Sequence, residues 1–185
     1  MSDLAEAGRS ELHQDFFALF GLPRRFEVDV ARLEQAYLDR QAQVHPDRHA
    51  HRSDAEKRVA MQWATRVNEA YRTLRKPLSR ARYLLELQDV DVGIETNTAM
   101  SPEFLMEQME WREAVEEARE GADMSDLEHL HRRLVGHARE VNAMLAEQLD
   151  GNPADLDGAS DTVRRLMFIE KLQSDIDDAI EALED

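Results

Sequence analysis

Cysteine is absent from all 185 residues of the chain, which excludes a disulfide framework and thiolate ligation of zinc or of an iron–sulfur cluster. No apolar run reaches the length of a membrane span. The first dozen residues lack the basic start and apolar middle of a signal peptide, because Asp3, Glu6, Arg9 and Glu11 are scattered among small residues; a disordered tail over residues 1–12 is expected. Positive charge is scarce as well. With 23 Lys/Arg against 39 Asp/Glu the formal net charge is −16, which argues against nucleic acid and anionic membrane as partners. No nucleophile is paired with a base, and no glycine loop is built to cradle phosphate, so neither an active site nor a cofactor is expected. Internal repeats and low-complexity segments are missing too.

What remains is a charged, leucine-rich chain long enough for one ordinary domain or two small ones. The charge is unevenly shared: residues 1–78 hold 13 Lys/Arg and 12 Asp/Glu, and the remainder holds 10 and 27, a split of +1 and −17. A nearly neutral module joined to a strongly acidic one suggests different partners for each.

Helical periodicity covers most of the chain. Val30, Leu33, Tyr37 and Val44 form one stripe of a helix from Asp29 to Val44, with Asp29 as its N-cap. Ala60, Trp63, Val67, Ala70 and Leu74 form the stripe of a second helix over about Ser53 to Lys76, where Ser53 and Glu56 have capping-box spacing. His45-Pro46-Asp47 lies between them. Pro46 disfavours the α conformation at His45 and removes a donor, so the first helix ends there and the tripeptide sits at the tip of an antiparallel hairpin. Pro77 ends the second helix, and a short exit helix follows over Leu78 to Leu87. Asp89 to Ser101 shows no helical stripe and reads as a connector. Three more helices are predicted: Pro102 to Glu120 with Ser101 as cap and Gly121 beyond its end, Ser125 to Leu149, and about Ala159 to Leu183 after a loop punctuated by Gly151, Asn152, Pro153 and Gly158. The stripe of the last runs through Leu166, Ile169, Ile176, Ile180 and Leu183. Three long amphipathic helices joined by short loops should pack as a bundle, so the fold class is all-α.

The hairpin with His45-Pro46-Asp47 at its tip, preceded by Asp15-Phe16-Phe17-Ala18-Leu19-Phe20-Gly21-Leu22-Pro23, resembles a J domain, the module with which co-chaperones stimulate the ATPase of a heat-shock-seventy-type chaperone. Tyr71 to Leu87, Phe104 to Glu113 and Asp161 to Leu172 resemble one J-protein family in particular, the HscB type that serves iron–sulfur cluster assembly. These blocks span roughly Asp15 to Leu183. The resemblance implies a J domain with its exit helix over residues 13–88, a connector over 89–101 and a scaffold-binding three-helix bundle over 102–185. It implies two partners, an HscA-type chaperone and an IscU-type scaffold protein, and a protein that is not itself an enzyme. Some eukaryotic members carry a cysteine-rich zinc segment near the N-terminus; a chain without one looks like a bacterial, cytoplasmic protein.

By resemblance His45, Pro46, Asp47 and Arg48 engage the chaperone, with Arg32 and Arg25 supplying positive charge beside them. The family's basic surface on the helix before the loop is reduced here, since Ala36 and Ala42 stand where positive charge is expected, and Arg24, Arg25, Arg32, Arg48 and Arg52 would have to substitute. A metal reading competes at the same place, because His45, Asp47, His49 and His51 are crowded together and imidazole with carboxylate is a common ligand set. A J protein serving another client and a purely structural helical adaptor are the remaining alternatives.

The Pro102 to Glu120 helix carries two apolar faces. At about 100° per residue, Phe104, Trp111, Val115 and Ala118 share one direction, enough to dock the helix, while Leu105, Met106 and Met109 fall on the opposite side near several glutamates. A second apolar face rimmed by carboxylates is the expected form of a protein-binding site, and methionine suits it because its thioether adapts to a partner. Phe168 lies off the main stripe of the last helix and is expected to be exposed. Leu105, Met106, Met109, Glu110, Glu113, Glu117 and Phe168 together resemble the family's docking site for the iron–sulfur scaffold.

Overall fold

The computed structural model describes residues 14–44, 53–93, 101–121 and 123–184. The described residues contain seven α-helices and no strand, in agreement with the all-α expectation. The chain divides into two compact units at Leu84 and Leu85, inside the exit helix.

The first unit opens with α1 (Phe16–Leu19), capped by Asp15, whose carboxylate accepts the Ala18 N–H at 3.0 Å and pairs with Arg24 at 2.5 Å. Partial burial alone would raise the Asp15 pKa, but the Ala18 N–H and the Arg24 guanidinium outweigh it and hold the carboxyl below its ordinary range. Gly21 ends this helix at φ 62°, with bonds from the Gly21 N–H to the Ala18 carbonyl and from the Leu22 N–H to the Phe17 carbonyl. That pair of bonds is a Schellman close, which requires the left-handed backbone that glycine adopts without strain.

Helices α2 (Val30–Val44) and α3 (Asp54–Arg75) pack together as a hairpin. Asp29 caps α2 through its carboxylate to the Arg32 N–H. The predicted capping box is present at α3, where the Ser53 hydroxyl and the Glu56 carboxylate each satisfy the other's backbone N–H. Leu33, Trp63, Val67, Ala70 and Leu74 are buried. Between the helices the Tyr37 and Tyr71 rings stack at 4.1 Å, and the Tyr37 hydroxyl donates to Asn68 at 3.0 Å. Val30 departs from the predicted stripe: as the first residue of α2 it precedes the packed turns and stays 47% exposed.

Helix α4 (Pro77–Glu86) starts directly after the α3 C-cap, with proline at the position where a missing N–H costs least. The buried guanidinium of Arg80 donates to the Leu74 carbonyl at 2.6 Å, which satisfies one of the free carbonyls at the end of α3, and lies 4.9 Å from the Phe26 ring centre. Tyr83 stacks on Phe16 at 4.4 Å, and its hydroxyl accepts the Phe16 N–H. The lead helix is therefore held from both the hairpin side and the exit-helix side.

The second unit contains α5 (Pro102–Glu120), α6 (Met124–Asp150) and α7 (Leu156–Glu184), packed on one another as a three-helix bundle. Ser101, Pro102 and Gly121 occupy the expected cap, first-turn and terminal positions of α5. Helix α6 is capped by Asp123, slightly before the predicted start. The main seam joins Leu127, Leu134, Val141 and Leu145 of α6 to Val163, Leu166, Ile169 and Ile176 of α7, all almost fully buried. Truncating any of the leucines to alanine would cost about 2–5 kcal/mol.

Two expectations for α7 are corrected. Gly158 lies in its first turn and not in the preceding loop: the Asp155 carboxylate folds onto the Gly158 N–H at 2.9 Å, where any Cβ would strike it. At the far end Leu183, in the last turn of α7, is 41% exposed and not buried with the stripe. Arg164 donates to the Val92 carbonyl at 2.7 Å and pairs with Asp161, which ties residues 91–93 to α7.

Candidate functional site

The tripeptide His45, Pro46 and Asp47, together with Arg48 and the His49 and His51 of the metal reading, lies outside the described residues. The helices that would present it are in place, with α2 closing at Val44 and α3 opening at the Ser53 cap. The arginines expected beside it do structural work in this unit. Arg24 is bound to Asp15, and Arg32 is exposed but donates to the Gly21 carbonyl at 3.1 Å; Arg40, not among those expected, is half-buried and donates from Nε to the Leu19 carbonyl at 3.1 Å. Arg25 is exposed. Charge and geometry are shared in these side chains: each covers a turn carbonyl or carboxylate while keeping part of its cation in water.

In the second unit α5 presents the two faces read from its periodicity. Phe104, Val115 and Ala118 are buried, while Leu105, Met106 and Met109 are 47%, 62% and 70% exposed. Glu110, Glu113 and Glu117 are exposed around them. Phe168 of α7 comes to this helix, with its ring edge-on to Phe104 at 6.0 Å and the Arg112 guanidinium 5.6 Å from its centre. Arg112 follows Leu105 by two helical turns and Met109 by one, so Phe168 borders the exposed stripe. The ring is half-buried and not exposed as expected, because Phe104 and Arg112 cover part of it.

The orientation of α5 depends on contacts that no helical wheel shows. Glu107 turns inward: one oxygen lies 2.6 Å from His137 Nε2 of α6, the other 3.4 Å from Arg165 Nε of α7. The histidine approach is a close contact and not an aligned hydrogen bond, since Nε2 is buried without a well-directed partner. Trp111, predicted on the docking stripe, is half-buried; its ring stacks near His137 at 6.1 Å and faces the Arg133 guanidinium at 4.8 Å. Glu107, His137 and Arg165 escaped sequence reasoning because each is an ordinary polar position on its own helix. A glutamate one turn before Trp111, on the inward side of the wheel, was the available signal. Among the described residues no cluster of histidine and carboxylate groups is arranged to hold a metal ion.

A lead helix, a helical hairpin and an exit helix, followed by a bundle that exposes an acidic-rimmed apolar face, define an all-helical co-chaperone of the J-protein class. The chain belongs to the HscB co-chaperone family. Residues 100–177 match the family described as the HSCB C-terminal oligomerisation domain. The chain is 66% identical to the co-chaperone protein HscB homolog of Azoarcus sp. (strain BH72), over 94% of this chain and 98% of that one. It is 55% identical to the homolog of Cupriavidus taiwanensis, over 95% and 98%. Among solved structures, chaperone HscB from Vibrio cholerae superimposes with a TM-score of 0.79 at 38% identity, covering 92% of this chain and 99% of that one. Human co-chaperone HscB gives 0.83 at 29% identity, over 89% and 81%.

Proposed function

We propose that this protein is the J-protein partner of an HscA-type chaperone and delivers to it the IscU-type scaffold on which iron–sulfur clusters are assembled. The observation that carries the scaffold side is the exposed stripe of Leu105, Met106 and Met109 with Phe168 beside it and Glu110, Glu113 and Glu117 at its rim. Such a face can be desolvated by a partner that supplies apolar groups at the centre and basic groups at the edge. On the chaperone side His45, Pro46, Asp47 and Arg48 act as the family resemblance implies, with Arg25 and Arg32 adding positive charge at and before the start of α2.

The mechanism is a bridge. The module over residues 13–88 meets the chaperone, the bundle over 102–185 holds the scaffold, and residues 89–101 connect them. Holding both raises their effective concentration, while the loop stimulates ATP hydrolysis and so closes the chaperone on its client. The hydrolytic chemistry belongs to the chaperone; this chain contributes no catalytic group and works in the cytoplasm. The test is steady-state ATP hydrolysis by the chaperone with and without scaffold. Asp47→Asn should abolish stimulation altogether, and Leu105→Ala/Met109→Ala should remove only the scaffold-dependent part. Full stimulation by both variants would overturn the assignment of both surfaces.

A further inference from the structure

Methionine is the only sulfur residue in this chain, with eight methionines and no cysteine. Met106 and Met109, 62% and 70% exposed, stand one turn apart on the face of α5 that does no packing within the bundle. From this placement we propose that Met106 and Met109 are a reversible oxidation site through which peroxide switches off the docking face of α5; the inference rests on the scaffold-docking reading above.

The chemistry needs only a peroxide as oxidant. Each thioether sulfur gives an electron pair to one oxygen of hydrogen peroxide. The O–O bond breaks, an S–O bond forms, and the second oxygen leaves as water with the proton of the first. The sulfur is oxidised by two electrons and the peroxide is reduced by two. A thiol-dependent methionine sulfoxide reductase reverses the change.

The surroundings make the change consequential. A sulfoxide is a strong acceptor that must find a donor when a partner covers it, and the ionised carboxylates of Glu110, Glu113 and Glu117 accept hydrogen bonds but donate none. Arg112 already holds its guanidinium over the Phe168 ring. Docking would therefore bury two strongly polar groups in the centre of an apolar contact, a desolvation cost that the thioethers do not carry. Two other methionines serve as internal references: Met61 on α3 is 69% exposed and Met144 on α6 is 40% exposed, and neither belongs to the α5 face. Met61 oxidises on the same chemical grounds and should leave scaffold affinity unchanged.

The experiment treats the full chain with hydrogen peroxide, locates added oxygen by peptide mass spectrometry, and measures affinity for the IscU-type scaffold by calorimetry. Wild type should gain oxygen at Met106, Met109 and Met61 and lose affinity by at least about tenfold, the effect of one or more buried unpaired polar groups. Reductase treatment should restore binding. Met106→Leu/Met109→Leu keeps the apolar volume at exposed positions, so it should fold, and its scaffold affinity, compared with its own untreated value, should not fall after peroxide. Met61→Leu should lose affinity like wild type. Oxidised Met106 and Met109 with undiminished affinity would overturn the inference while leaving the docking reading intact, as would equal loss in the Met106→Leu/Met109→Leu variant, or oxygen at Met61 alone. Failure of untreated wild type to bind scaffold would remove the docking reading and the switch with it.

Discussion

At Asp15 one carboxylate does three things: it caps α1, pairs with Arg24 and titrates below its ordinary 3.8 as a result. A group whose pKa is lower in the folded state binds its proton less readily there, so its stabilisation is present in full above 3.8 and disappears as the pH falls through the lower native value. Asp15→Ala should cost about 1 kcal/mol at neutral pH, the usual loss of an N-cap. Urea titrations at stepped pH should show the difference between wild type and variant closing below pH 3.8. Asp15→Asn, which keeps an acceptor for the Ala18 N–H but loses the charge facing Arg24, should fall between them with little pH dependence.

Helix α5 turns one face to the core and leaves the proposed docking face exposed. Phe104, 6% exposed and touching Phe168, belongs to the core, and Phe104→Ala should lower bundle stability by about 3–5 kcal/mol in chemical denaturation. Leu105→Ala/Met109→Ala removes side chains that are 47% and 70% exposed, so the unfolding midpoint should move by no more than about 0.5 kcal/mol. The same double variant should weaken scaffold binding by about 2 kcal/mol or more in calorimetry, since these are the central apolar contacts of the proposed interface. Residues 104 and 105 are adjacent in the chain and point to different solvents, which is what a helix of about 100° per residue does to neighbours.

The unit over residues 85–185 carries 8 Lys/Arg against 27 Asp/Glu, a net −19, while residues 1–84 carry 15 against 12. A field of one sign around the proposed docking stripe would steer a basic partner during encounter and is screened within about 8–10 Å at ordinary ionic strength. Stopped-flow association with the scaffold should therefore slow steeply as salt is raised from low to physiological strength, with the dissociation rate changing far less. Equal salt sensitivity of both rates would place charge pairs inside the buried contact instead of around it.

Most elements of this fold were legible in the chain because their signals are local. The Ser53–Glu56 capping box, the Ser101-Pro102 start and Gly121 end of α5, and the buried stripe Trp63, Val67, Ala70 and Leu74 all follow from spacing along one helix. The two faces of α5 were legible for the same reason. Gly158 misled because glycine is ordinarily a breaker, and only the Asp155 side chain folded over it shows why it opens a helix. Val30 and Leu183 misled because each lies in a terminal turn of its helix, and a periodic pattern does not say which turns are covered. The burial of Phe168 by Phe104 and Arg112, the clasp of Glu107 to His137 and Arg165, and the Arg80 cap on α3 belong to the tertiary structure. By itself the sequence determined which segments are helical to within about a turn, which face of each helix is apolar and how charge is divided, since these depend on covalent order and backbone geometry. Which apolar faces are covered and which ionisable groups meet was decided only when helices distant in sequence packed together, because burial and Coulomb energy depend on separation in space.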